Sequence, residues 1–170
     1  MKNIFVDGYN VINSWPDLKE KKDVSFEGAR QSLIDRLHNY GVFKECRIII
    51  VFDAHKVPGS IEKKEEINKN ISAIFTKDGE TADAYIERHV NEMGRKQEVV
   101  VVTSDNLEQQ TVFQRGAVRM SSIEFYNEIL KVEKTINSKA DKIKINHKNS
   151  LADNINEDIA KKLEEMRRGK

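Results

Sequence analysis

Cysteine is nearly absent from this chain: among 170 residues only Cys46 carries a thiol. An intramolecular disulfide is excluded. The residue stands beside a strongly apolar run, where it reads as a core thiol. Long apolar stretches are missing too. No segment approaches the roughly 20 apolar residues that a membrane helix needs. The opening MKNIFVDGYN meets an aspartate before the apolar centre of a signal peptide can form. A soluble cytoplasmic protein without a membrane partner is the expectation. Excess charge is lacking as well: 29 basic against 28 acidic residues leave a net +1, so overall charge says nothing about nucleic acid. Its distribution says more. Lys131, Lys134, Lys139, Lys142, Lys144 and Lys148 face only Glu133 and Asp141 in their stretch. Such a segment suits phosphate contact or a solvated connector.

What is present is alternation. Lys2–Val6 (KNIFV), Arg47–Phe52 (RIIIVF) and Val99–Thr103 (VVVVT) are short, almost continuous apolar runs. Burial on both faces, as in parallel strands covered by helices, explains such runs. Between them, Phe26, Ala29, Leu33, Ile34, Leu37 and Tyr40 mark one helix face, with Ser25 as N-cap. Ala82, Tyr85, Ile86, His89, Val90 and Met93 mark a clearer one. A shorter helix is expected over Asn106–Arg115, stopped at Gly116, then a short strand at Val118–Met120 and a helix carrying Ile123, Tyr126, Ile129 and Leu130. Ile71–Thr76 (ISAIFT) reads as an edge strand after the Pro58-Gly59 turn. The pattern predicts an α/β domain with a mostly parallel central sheet flanked by helices over residues 1–134. A lysine-rich connector and a C-terminal helix striped with Ile155, Ile159, Leu163 and Met166 fill residues 135–170.

Three of the apolar runs end in aspartate: Asp7, Asp53 and Asp105. In an open parallel sheet the ligand crevice lies at the carboxyl ends of the strands, so these acids can converge. Asp83 opens the second helix, with Glu80 three residues before it and Glu87 four after, a spacing that lets all three share a face. Clustered carboxylates repel one another unless a cation joins them. Mg²⁺ or Mn²⁺ suits such hard oxygen donors, and such an ion serves phosphoryl chemistry. The bland alternative stays open at each position, because aspartate after a strand also caps helices and makes turns.

Four words sharpen the choice: FVDGYNVI at Phe5–Ile12, VFDAH at Val51–His55, FTKDGETADAYIE at Phe75–Glu87 and VVTSDNLEQ at Val101–Gln109. In this order they resemble the NYN domain, a branch of the PIN-like nuclease superfamily, and more closely its bacterial YacP type. The resemblance covers about Met1 to Glu133, and the last helix looks like that of the same type. It implies a PIN-like three-layer α/β sandwich and a Mg²⁺- or Mn²⁺-dependent endoribonuclease site. Carried over, Asp7, Asp83 and Asp105 would be the catalytic metal ligands. Asn10, Asp53, Glu80 and Ser104 would support them or touch substrate. RNA, in particular mRNA, is the implied partner, and the ribosome a further one.

Other residues have two readings each. His89 suits a core histidine, and His55 a surface one. Tyr9 and Trp15 flank the first motif and suit base stacking or packing. Arg30, Lys56 and Lys77 suit phosphate contact or solvent. A non-catalytic RNA- or ribosome-binding module with the same fold remains the competing function. An aspartate-nucleophile phosphatase is disfavoured because Tyr9 stands where a second acid belongs, and a receiver domain because Lys2-Asn3 supplies no acid pair.

Overall fold

The structure, a computed structural model, describes residues 1–54, 58–104, 116–153 and 157–169, with backbone alone over 148–153 and at 157. Six strands form one sheet: β1 (Asn3–Asp7), β2 (Arg47–Phe52), β3 (Lys63–Glu66), β4 (Ile71–Phe75), β5 (Val99–Val102) and β6 (Val118–Met120). Their order is β3-β4-β2-β1-β5-β6. All neighbours are parallel except β3 with β4. The continuous apolar runs are central strands, as their composition requires. β1 lies between β2 and β5, pairing Phe5 with Ile49 on one side and Val101 on the other.

Six described helices accompany the sheet: α1 (Gly8–Ser14), α2 (Pro16–Val24), α3 (Phe26–Lys44), α4 (Ala82–Met93), α5 (Ser122–Asp153) and α6 (Glu157–Arg167). Side chains alternate across a strand, and the two faces bury different helices. Phe5, Ile49, Val51, Ile74, Val99 and Val101 share a core with Ala82, Tyr85, Ile86 and Val90 of α4. The opposite face carries Ile48 and Phe52, which meet Gly41 of α3 and Gly8 of α1. Three layers result, the sandwich expected from the sequence.

Local signals explain most boundaries. Ser25 accepts from the Gly28 amide and caps α3, and Thr81 does the same for α4 through Ala84. Pro16 opens α2, where a missing N–H costs nothing. Gly94 closes α4 at φ +66°. β3 (KKEE) forms with every residue exposed. Pairing with β4 creates it, and β4 is consequently an interior strand, not the edge expected of ISAIFT.

Trp15 takes the packing one of its two readings. Its side chain is fully buried, and its Nε1 donates to the Ser122 carbonyl at 2.9 Å. Phe125 and Tyr126 lie against its ring, with centroids 6.0 and 5.2 Å away. It is a core residue, unavailable to stack on a base. The sequence around Pro16 hid this because α1 and α2 are short and leave little periodicity to read.

The chain divides into Met1–Val132 and Glu133–Lys170. Residues 135–147, read from the sequence as a connector, are helical within α5. In α6, Ile159, Leu163 and Met166 are exposed. Ile155 and the helix expected over Asn106–Arg115 lie outside the described residues. No described helix is long and apolar enough to cross a membrane.

Candidate active site

Strand order reverses at β1: β2 and β4 lie on one side, β5 and β6 on the other. Such a switch point opens a crevice at the carboxyl ends of the strands. Asp7 is the last residue of β1 and therefore sits at its mouth. It also caps α1, with the Asn10 amide donating to Asp7 Oδ1 at 3.1 Å. The capping reading of Asp7 is therefore met, and it leaves the second carboxylate oxygen to other contacts.

Electrostatics separate Asp7 from an ordinary cap. Burial pushes its carboxyl from 3.8 up to about 6. The amides of Asn10 and Tyr9 oppose this, while the charges of Asp83 and Asp53 push it further up. Three acids from three elements therefore converge electrostatically: Asp7 from β1, Asp53 after β2 and Asp83 from the first turn of α4. The charges of Asp83 and Asp53 both act against ionisation of Asp7.

Neighbouring groups fix these positions. Thr76, fully buried, accepts the Ala54 amide on Oγ1 at 2.9 Å, and its own amide donates to the Phe52 carbonyl at 3.0 Å. Asp53 is thereby held between two fixed backbone points. Asn10 turns its Oδ1 to the Ser104 amide at 3.2 Å, tying α1 to the chain that leaves β5 across the crevice. Asp105 is the next residue along the chain; it lies outside the described residues, as do His55 and Lys56.

Glu80 is placed differently. It precedes α4 and its N-cap Thr81. Its Oε1 accepts from Arg88 Nε at 3.2 Å and from an Arg88 terminal nitrogen at 2.8 Å. Its Oε2 is buried with no hydrogen-bond partner among the described residues. The carboxylate is thus turned to Arg88, which Glu62 also approaches at 3.5 Å. Nothing local signalled this pair, because the partners are eight residues apart and one lies outside the helix. Thr76 was also missed; its only sequence signal is a hydroxyl ending an apolar strand.

Packing against Phe52 requires glycine at position 8. A Cβ there would meet the Phe52 ring at 2.4 Å. The Phe52 ring in turn supports Tyr9, at 5.4 Å between centroids. The Tyr9 hydroxyl is held above its usual range by burial first, with Arg30 lowering it and Asp53 raising it. His89 is half-buried, its ring stacked on Tyr85 at 3.9 Å and its Nδ1 3.0 Å from the Tyr85 carbonyl. That is the satisfied histidine the sequence reading favoured. Lys77 is exposed.

A parallel α/β domain with helices on both faces of the sheet and acids at its switch point belongs to the class of open-sheet proteins whose ligand crevice lies there. Comparison narrows it. The model of the YacP-like NYN domain matches residues 4–168. A Bacillus subtilis (strain 168) relative, described as uncharacterized protein YacP, is 39% identical over 170 residues, covering 99% of this chain and 98% of its own. A crystal structure of Rae1 (YacP) from Bacillus subtilis aligns with TM-score 0.73 at 39% identity, over 99% of this chain and 96% of that one. A mutant form of the same protein gives TM-score 0.73 at 38% identity, over 85% and 84%. The chain belongs to the YacP-like NYN domain family, a PIN-like nuclease-type domain.

Proposed function

We propose that this protein is a divalent-metal-dependent endoribonuclease that hydrolyses phosphodiester bonds in RNA. One observation carries the reading: a buried Asp7 at the switch point, its carboxyl pushed up to about 6 while Asp83 and Asp53 bear on it. Like charges gathered in a crevice are costly, and a cation shared among them removes that cost.

The residues fit such an ion. Among the described residues no three His, Cys, Asp or Glu side chains close into a complete cage. Mg²⁺ does not ask for one, because it is held by one or two carboxylates and keeps several waters. In this reading Asp7 and Asp83 hold the ion together with Asp105, and Mn²⁺ substitutes for Mg²⁺. When bound, the ion supplies Lewis acidity toward a phosphoryl oxygen and toward water. Asp53 adds negative potential that favours cation entry. Asn10 keeps the Ser104 backbone, and so the start of the Asp105 segment, tied to α1. Water is the nucleophile, so no covalent enzyme intermediate is needed.

Membership of the NYN family supports RNA as the substrate. Messenger RNA engaged by the ribosome is the substrate context that follows from the YacP resemblance. Cleavage of a labelled single-stranded RNA and its DNA counterpart, with Mn²⁺, Mg²⁺ or EDTA, tests the reading. Metal-dependent RNA cuts that vanish in Asp7→Asn are expected. Equal cutting by parent and Asp7→Asn would overturn it. If neither cuts free RNA, the same comparison on translating ribosomes decides between a ribosome-dependent nuclease and a binding module.

A further inference from the structure

Beside the acids, the carboxyl ends of β2 and β4 carry aromatic rings in contact. Tyr9 meets Phe26 at 5.1 Å and Phe52 at 5.4 Å, and Phe52 stacks on Phe75 at 5.3 Å with 20° between planes. Phe52 is fully buried and suffices to seal the sheet end. The outer rings are not sealed: Phe26 is 38% exposed, and Tyr9 and Phe75 are half-buried. Two cations from different elements converge on this row. The Arg30 guanidinium of α3 lies over both Phe52 and Phe75, at 5.8 and 5.1 Å, and Lys63 Nζ of β3 lies 5.9 Å from the Phe75 ring.

Neither cation is without a carboxylate: Arg30 pairs with Glu27, and Lys63 with Glu65 at 2.6 Å. Both acids are exposed, and such surface pairs are weak and exchange readily for other anions. A guanidinium resting against rings keeps N–H donors in a planar fork whose geometry matches phosphate. Partly exposed rings joined to positive charge are what proteins use to hold single strands, since every base has a face to stack and every link a charge. The row begins at Tyr9, two residues from Asp7, and the charge of Asp53 acts on the Tyr9 hydroxyl, so the row borders the acids.

We propose that Tyr9, Phe26 and Phe75 with Arg30 and Lys63 form the grip that holds single-stranded RNA on the α3 side of the acidic site. Bases lie against the exposed ring edges, and consecutive phosphates sit on Arg30 and Lys63. Arg30 and Lys63 are positioning residues, not catalytic ones. The grip rests on reading the acidic crevice as the nuclease site.

The test is fluorescence anisotropy with a labelled oligo(U), in an Asp7→Asn background that keeps the RNA uncut. Arg30→Gln, Lys63→Gln and, as control, Lys96→Gln from the opposite end of the sheet are compared, each checked by thermal melting. Arg30→Gln is expected to weaken binding by about tenfold and Lys63→Gln by a few-fold, each flattening the salt dependence by about 0.7 per lost phosphate contact. Arg30→Lys falls between, because it keeps the charge but loses the fork. Lys96→Gln binds like the background. If Arg30→Gln does not fold, Lys63→Gln on the exposed edge strand decides alone. Unchanged affinity in the folded variants, with RNA cutting by the parent intact, overturns the grip and leaves the nuclease reading standing. Failure of the folded protein to bind any single strand also overturns the grip; RNA cutting by the parent in that preparation leaves the nuclease reading standing, and its absence sends that reading to the assay on translating ribosomes.

Discussion

Removing the charge of Asp7 should make this protein more stable while abolishing its activity. Burial moves the Asp7 carboxyl from 3.8 to about 6. At about 1.4 kcal/mol per pH unit, holding it ionised in the fold costs on the order of 3 kcal/mol at neutral pH. The sign follows from proton counting. Below 3.8 both folded and unfolded chains carry the proton. Between 3.8 and about 6 only the folded chain keeps it, so stability falls as pH rises through this window. Above it the penalty is complete and constant. Asn in place of Asp7 carries no charge and caps a helix as well as aspartate does, so the Asn10 amide at 3.1 Å keeps its acceptor. For a chain of this size about 1 kcal/mol shifts Tm by roughly 2–4 °C. Asp7→Asn should therefore melt several degrees, up to roughly 10 °C, above the parent at pH 7.5 in EDTA. The gap should close as pH falls toward 4. Millimolar Mn²⁺ should raise the parent's Tm by linkage and the variant's far less. Melting curves by circular dichroism over pH 4–8, with and without metal, measure all of this. A variant that melts at or below the parent at pH 7.5, or a gap that ignores pH, would refute the burial argument for Asp7.

Other substitutions probe the frame around the acids. Gly8→Ala must push the Phe52 ring or α1 aside to relieve a 2.4 Å contact; a loss of about 1–3 kcal/mol is expected by urea denaturation, and parent-like stability would show that the ring yields freely. Asn10→Ala frees the Ser104 amide and should reduce RNA cutting at least tenfold while Tm moves only a few degrees; unchanged cutting would remove this tie from the mechanism. Trp15 is the single tryptophan and is fully buried, so native emission should be blue-shifted, insensitive to iodide and unmoved by RNA. Trp15→Ala should cost about 3–5 kcal/mol, and quenching of the native emission by RNA would contradict the burial.

Central strands were legible because burial on both faces leaves a continuous apolar run, and β1, β2 and β5 are such runs. Amphipathic α3 and α4 were legible for the matching reason. β3 was not: KKEE carries no strand signal, and only pairing with β4 makes it one. The same contact turned the expected edge strand into an interior one. α1 and α2 went unread because seven and nine residues barely hold two helical periods. In the candidate site, strand ends, a helix start and the motif words singled out Asp7, Asp53 and Asp83, and the charges of the last two act on the first. The bond of Glu80 to Arg88 and the hold of Thr76 on the Asp53 segment depend on tertiary geometry that spacing does not encode. The choice between packing and stacking for Trp15 could not be made from sequence because its burial is completed by Phe125 and Tyr126, over a hundred residues away.

The KKEE strand has a consequence for life at high concentration. An open sheet offers its rim to any passing chain, and an unguarded rim is a template for aggregation. Here one rim is β3, where Lys63 bridges to Glu65 and Lys64 to Glu66 at 2.8 Å. Each face of the strand is thus charged yet internally neutralised, so an incoming apolar segment would have to strip two ion pairs of water without acquiring a partner for them. The other rim, β6, is three residues long, too short to seed a ladder. The sheet guards one rim by charge and the other by brevity, which lowers the tendency of a domain with so many consecutive valines and isoleucines in its middle to pair edge to edge.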